Sequence, residues 1–140
     1  MARADDPYDP ILKPKHYNVH PAGFECIELA RHLNFCLGNA LKYIWRAGLK
    51  DGEHETKDLA KAVWYLQDEI AHGEIHIRAS AERSELFDRI LPHYNERVAE
   101  ALRRLRDAAN DPDLTRRRRD LGRAVAALTD EMVHRKEGSE

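Results

Sequence analysis

Cysteine is scarce in this chain. Cys26 and Cys36 are the only two, and no C-x-x-C pair occurs. That speaks against a disulfide framework and against a cysteine-built zinc site. No apolar run approaches the roughly 18 residues of a membrane helix, and the opening MARADDPYDP is acidic and polar, unlike a signal peptide. GxxxxGK[ST] and GxGxxG are both missing, which excludes a nucleoside-triphosphate site built on a glycine-rich phosphate loop. An excess of one charge is missing too. The 23 basic and 25 acidic residues leave a net charge of -2, which argues against nucleic acid as a bulk electrostatic partner but leaves room for local basic patches. β-Branched residues are few and do not alternate with polar ones, so no strand is predicted. What remains is 140 residues, 42% of them hydrophobic, enough for one domain with a core or for a compact domain with an appended element. The expectation is a soluble cytoplasmic protein with no membrane partner.

The chain divides by composition. Residues 1–22 hold Pro7, Pro10, Pro14 and Pro21, four of the six prolines, and are expected to form an extended arm. Residues 23–74 carry helical periodicity. A first helix is predicted near 24–34, with Phe24, Ile27, Ala30 and Leu33 on one face. A second is predicted near 37–47, stopping at Gly48, with Asp51-Gly52 as a turn. A third is predicted from Thr56 to His72, stopping near Gly73. Residues 75–140 hold thirteen arginines and one lysine, against three arginines and six lysines before them. Their apolar residues fall at alternating four and three spacing: Phe87, Leu91, Tyr94, Val98, Ala101, Leu105 and Ala108, then Leu121, Val125, Leu128 and Met132. Asn110-Asp111-Pro112-Asp113 separates the two stripes, with Asp111 as the expected N-cap and Pro112 at the first helical position. The pattern is an antiparallel helical hairpin with a kink or a start at Pro92. Nothing in residues 23–74 looks large enough to cover both stripes. A homo-oligomer is therefore expected, with Leu105 and Leu128 near its buried seam. The fold class is all-α.

On the second helix Asn39, Lys42, Tyr43, Arg46 and Lys50 fall in one stripe about 100° wide, opposite Leu37, Leu41, Ile44 and Gly48. Cations interleaved with Asn and Tyr suit a phosphate-bearing ligand, because Arg offers a planar fork and Lys a movable point charge. On the third helix Asp58, Lys61, Tyr65, Asp68, Glu69 and His72 share a face, opposite Leu59, Val63, Leu66 and Ile70. Each stripe equally suits a solvated face, but two adjacent stripes suggest a site between them.

Carboxylates form a second constellation. Glu25 and Glu28, like Glu55 and Asp58, lie three apart and could hold Mg²⁺ through oxygen ligands. Acidic residues at a helix start also suit the helix dipole. Glu69, His72 and His76 have spacing compatible with a transition metal, although Gly73 interrupts them. Arg116 to Arg119 wrap around a helix, so part of that run must face the hairpin seam or an intersubunit pocket.

The strings His16-Tyr17, Phe24-Glu25-Cys26-Ile27-Glu28, G-N-A-L-K-Y-I-W-R-A-G-L-K-D over 38–51 and Asp58-Leu59-Ala60-Lys61-Ala62-Val63-Trp64-Tyr65-Leu66 resemble a family of small phage proteins often labelled nucleotide kinases. The resemblance covers residues 14–70. It implies a phage origin, a place in the cytoplasm of an infected bacterial host, and a role in deoxynucleotide metabolism. A relative phosphorylates deoxynucleoside monophosphates without a glycine-rich phosphate loop. Carried over, the motif positions are His16, Tyr17, Asn39, Lys42, Tyr43, Arg46, Lys50, Asp58, Lys61 and Tyr65. The expected activity is therefore a deoxynucleoside monophosphate kinase using an NTP donor. Lys42, Arg46 and Asp58 would be catalytic, and His16, Tyr17, Asn39, Tyr43, Lys50, Lys61 and Tyr65 would bind substrate. Glu25, Glu28 and Asp58 would sit on the side of a Mg²⁺ ion. Two other readings stand beside it. The paired acids also resemble Mg²⁺-dependent all-α NTP pyrophosphohydrolases of the MazG type, with a poorer acidic cluster. The third reading is a non-enzymatic nucleotide-binding or host-protein-binding regulator.

Overall fold

The computed structural model describes residues 20–49, 56–73 and 78–137. Among them every regular element is helical, as the lack of alternation predicts. The order is α1 (Cys26–Ala30), α2 (Phe35–Leu49), α3 (Lys57–His72), α4 (Ala81–Ile90), a 3-10 turn (Leu91–His93), α5 (Glu96–Ala109) and α6 (Leu114–Glu137). Most of the expected arm, including His16 and Tyr17, lies outside the described residues. So do Lys50, the Asp51-Gly52 turn, Glu55 and His76. No helix among the described residues is long and apolar enough to cross a membrane.

Side-chain caps decide where several helices begin, by accepting backbone N–H groups that the first turn leaves over. Asn34 Oδ1 accepts from Leu37 N–H at 2.9 Å, Ser80 Oγ from Arg83 at 3.1 Å and Asn95 Oδ1 from Val98 at 3.0 Å. Caps of this kind, with Asp113 on α6, correct three predicted boundaries. The helix expected over 24–34 ends at Ala30, where the chain tightens so that His32 and Leu33 donate three residues back, and Asn34 then starts α2. Its buried residues are Cys26 and Leu29, while Ile27 is 56% exposed. The long first arm of the hairpin is two helices, because Pro92 sits in the 3-10 turn and Asn95 begins α5 afresh. The N-cap of α6 is Asp113, which accepts from Arg116 N–H at 2.9 Å. Asp111 instead accepts from Asp113 N–H and from the Arg116 guanidinium, both at 2.9 Å. At the other boundary, α2 runs through Gly48 to Leu49 rather than stopping at the glycine.

Four helices close around the core. α2 packs on α3, α3 on α6, α6 on α5 and α5 on α2, while α1 lies on α2 and α4. Cross-helix pairs fix the directions. Cys36 meets Asp68 and Arg46 meets Asp58, so α2 and α3 are antiparallel. Arg97 meets Glu131 and Arg104 meets Asp120, so α5 and α6 are antiparallel as well. Leu41, Ile44, Trp45, Leu59, Leu66, Phe87, Leu105, Leu121 and Leu128 belong to one buried cluster. Residues from the 23–74 and 75–140 segments therefore share a single core. Leu105 and Leu128 are 0% exposed in one chain. The seam expected to need a second copy is covered by the chain's own helices, chiefly α3 against α6.

Buried charges stitch this core. Glu69 Oε2 accepts from Arg117 at 3.1 Å and from Asn34 Nδ2 at 3.1 Å, with both charged side chains about 95% enclosed. Gly73 lies against the same carboxylate: a Cβ there would fall 2.3 Å from Glu69 Oε2, so any larger residue would displace the pair. Arg117 is the inward member of the arginine run, as the helical wrap requires, while Arg118 and Arg119 are exposed. Glu131 is clasped by Arg97 and Arg135, each at 2.8 Å, and by Asn95. Burial works against its ionisation, but hydrogen bonds from Arg135, Arg97 and Asn95 outweigh it and hold the carboxyl below its ordinary range. No acid among the described residues pairs with Arg83. It donates to the carbonyls of His32 and Ala109 and to Asn110 Oδ1, tying the ends of α1 and α5 together.

Candidate functional site

The two polar stripes meet. Antiparallel packing of α2 on α3 brings Tyr43 and Tyr65 into a near-parallel stack, with centroids 6.0 Å apart and planes 13° from one another. Lys42 Nζ lies 4.5 Å from the centroid of the Tyr43 ring and Lys61 Nζ lies 5.3 Å from it. Both are cation–π distances. Farther along the same pair of helices Arg46 Nε faces Asp58 Oδ2 at 3.8 Å, with Asp58 buried and Arg46 about a third exposed. Lys42, Tyr43, Arg46, Asp58, Lys61 and Tyr65 thus form one face, as the two helical wheels predict. Asn39 is on the same stripe, but its amide donates to the Phe35 carbonyl at 2.8 Å.

Two residues that the sequence reading passed over belong to this face. Phe35 is 74% exposed and meets the Tyr65 ring edge-on at 6.0 Å. Trp64 is 61% exposed and meets it edge-on at 5.1 Å. The signal was in the spacing: Phe35 lies one turn before Asn39, and Trp64 three residues after Lys61. The result is a cluster of four rings bordered by cations. The inner two rings stack on each other and the outer two are open to solvent.

The acidic readings separate from this face. Glu28 Oε2 accepts from the Glu25 N–H at 2.8 Å, which makes the pair part of a capping box at the start of α1. Among the described residues no three His, Cys, Asp or Glu side chains gather as a metal cluster. Glu25, Glu28 and Asp58 are therefore not brought into one cation site. The Glu69–His72–His76 spacing fares no better, since Glu69 is engaged by Arg117 and His72 pairs with Asp68 at 3.3 Å. Cys36 donates to Asp68 Oδ2 at 3.3 Å, and burial together with that bond pushes its thiol up to about 11, so it is a poor nucleophile.

The described chain begins beside the far side of α2. His20 is buried against Trp45, with ring centroids 4.2 Å apart. Its Nδ1 accepts from Ala22 N–H at 2.9 Å, which leaves Nε2 to donate to Tyr94 Oη at 3.1 Å; that hydroxyl in turn donates to the Trp45 carbonyl at 3.4 Å. Burial, with a smaller contribution from His93, lowers the His20 pKa to about 4, so the ring is neutral at pH 7. The turn that follows closes with Gly23 N–H donating to the His20 carbonyl at 3.1 Å. Gly23 has φ +89°, a conformation open to glycine and strained for other residues.

A family of proteins of unknown function, DUF3310, matches the chain over residues 11–67. That span contains α1, α2 and most of α3, and so both helices of the aromatic and cationic face. No curated protein matches the chain. No solved structure matches it either.

Proposed function

We propose that the α2–α3 face binds a nucleotide and that the chain acts in deoxynucleotide metabolism, with phosphoryl transfer from an NTP to a deoxynucleoside monophosphate as its reaction. One observation carries the reading: Lys42 and Lys61 border a cluster of aromatic rings, and Arg46 follows one turn along the same face. Aromatic surface suits a base, and lysine and arginine suit its phosphates. Lys42 and Lys61 can swing from the Tyr43 ring toward a phosphate at small cost, since a cation–π contact at an exposed site is worth only about 0.5–1 kcal/mol. Arg46 supplies a planar fork, which Asp58 faces at 3.8 Å, beyond hydrogen-bond distance. Catalysis of this kind rests on positioning and on neutralising phosphate charge. The described carboxylates do not fit a Mg²⁺ cage, so the roles assigned here use the chain's own cations. A nucleotide-binding regulator would use the same face, and turnover separates it from the kinase.

The test is a thermal-shift screen against deoxynucleoside mono-, di- and triphosphates with and without Mg²⁺, followed by product analysis with an NTP donor. Binding of a nucleotide raises Tm by mass action. Arg46→Ala should weaken that binding by about 1.5–3 kcal/mol, the scale of a charge-assisted hydrogen bond. If no nucleotide shifts the transition, or if Arg46→Ala binds as the parent does, the reading fails.

A further inference from the structure

The inner rings of the α2–α3 cluster already use each other's surfaces, and Lys42 and Lys61 border the Tyr43 ring. The open aromatic surface is on Trp64 and Phe35, the two rings that abut Tyr65. A mononucleotide has one base and needs one such platform. Here there are two, on neighbouring helices, with a cation within one turn of Trp64. Single exposed apolar residues are ordinary on protein surfaces. Two large rings flanking a third, with Lys61 one turn before Trp64 and Lys42 on the neighbouring Tyr43 ring, are not a scattered pair, and the two lysines suit an anionic occupant; the carboxylate at this end, Asp68, accepts from Cys36. From this placement, and resting on the nucleotide reading above, we propose that the face takes the end of a single-stranded oligonucleotide, with one base on Trp64, the next on Phe35, and the backbone phosphates near Lys61 and Lys42.

Sequence-tolerant binding of single strands elsewhere combines these same two ingredients, stacked bases and a cationic track. The overall charge of -2 gives no long-range attraction, so the gain from each added base should come from stacking. The increments should therefore survive moderate salt better than purely electrostatic binding does.

The experiment titrates the full chain with thymidine monophosphate and with oligothymidylates of two, three, four and six nucleotides, following tryptophan fluorescence. Trp45 is fully buried, so the responsive signal reports on Trp64. Affinity is expected to rise about tenfold from one nucleotide to two and then to level off, as expected for a second stacked base. Phe35→Ala, an exposed position whose loss leaves the core untouched, should erase that step, so that one and two nucleotides bind the variant with equal affinity. Trp64→Ala should weaken both and is read by calorimetry instead. Equal affinity for all lengths overturns the oligonucleotide proposal and leaves the mononucleotide reading intact. No binding of any length overturns both. Light scattering that shows concentration-dependent self-association, abolished by Phe35→Ala, would assign the two rings to a second copy of the chain and also overturn the proposal.

Discussion

The α5–α6 hairpin and the α2–α3 face both carry many cations, and they use them differently. On the hairpin the arginines meet acids: Arg97 and Arg135 hold Glu131, Arg104 bridges Glu100 and Asp120, Arg106 reaches Asp88, and Arg103 pairs with Glu96 and Glu100. On the α2–α3 face Lys42 and Lys61 meet aromatic rings. A cation bonded to a carboxylate is neutralised and held, whereas one resting on a ring keeps its charge available. Density of charge in the sequence is therefore a poor guide to how many cations are left without a carboxylate partner. The arginine-rich hairpin spends much of its charge on contacts with the chain's own carboxylates. The half with fewer cations rests two of them on an aromatic ring.

The sharpest way to break this contrast is to remove a carboxylate that meets a buried arginine of the hairpin. Glu69→Gln keeps the size and removes the charge opposite Arg117, in a place where both side chains are enclosed. Losing one partner of a buried pair costs roughly 3–5 kcal/mol. Chemical denaturation at pH 7 should show a loss of that order, with a transition midpoint independent of protein concentration because the core closes within one chain. A loss below about 1 kcal/mol would mean that the pair is solvated, and the structural assignment of the hairpin's arginines would fall with it.

A second effect, intermediate in size, belongs to the contact between the two regions at His20. In the folded chain the His20 pKa is about 4, against 6.5 for an ordinary histidine. Between those values the unfolded chain binds a proton that the folded chain refuses, so stability rises with pH. The contribution is fully present above pH 6.5, is lost as pH falls toward 4, and declines no further below that. By pH 5 the loss should be about 2 kcal/mol. Urea titrations at pH 7, 6 and 5 measure it, and in His20→Gln the slope over that interval should largely vanish. Glu131, whose carboxyl lies below its usual range, adds its own loss only in more acidic solution.

Periodicity made the helices, their apolar faces and the meeting of the two polar stripes legible, because a repeat of 3.6 residues is a local property. Leu37, Leu41, Ile44, Leu59 and Leu66 are buried as the wheels predict. What the sequence hid is of two kinds. Some signals are degenerate: Glu25 and Glu28 have the same spacing for a capping box as for a cation pair, and Asp111 and Asp113 offer caps two residues apart. Others depend on tertiary packing alone. Nothing local says that α3 covers α6, so the seam at Leu105 and Leu128 looked open. Phe35 and Trp64 escaped notice for a different reason. Phe35 precedes the helix predicted from residue 37, and Trp64 enters only within the string that carries the resemblance, so neither is placed with the polar stripes.

The smallest expected effect sharpens the contrast from the other side. Lys61 is exposed, and its described contact is with the Tyr43 ring. An exposed cation–π contact contributes about 0.5–1 kcal/mol at most, and surface substitutions away from buried features usually stay within about 0.5 kcal/mol. Lys61→Ala should therefore leave the denaturation midpoint nearly unchanged, unlike Glu69→Gln. Nucleotide binding should behave the other way. Removing a lysine that contacts a phosphate should weaken it by about 1–2 kcal/mol, and the loss should shrink as salt is raised. Isothermal titration at two salt concentrations gives both numbers on the same protein. A variant with lowered stability and unchanged affinity would put Lys61 in the same class as the hairpin's arginines, and the distinction between held and available cations would no longer separate the two regions.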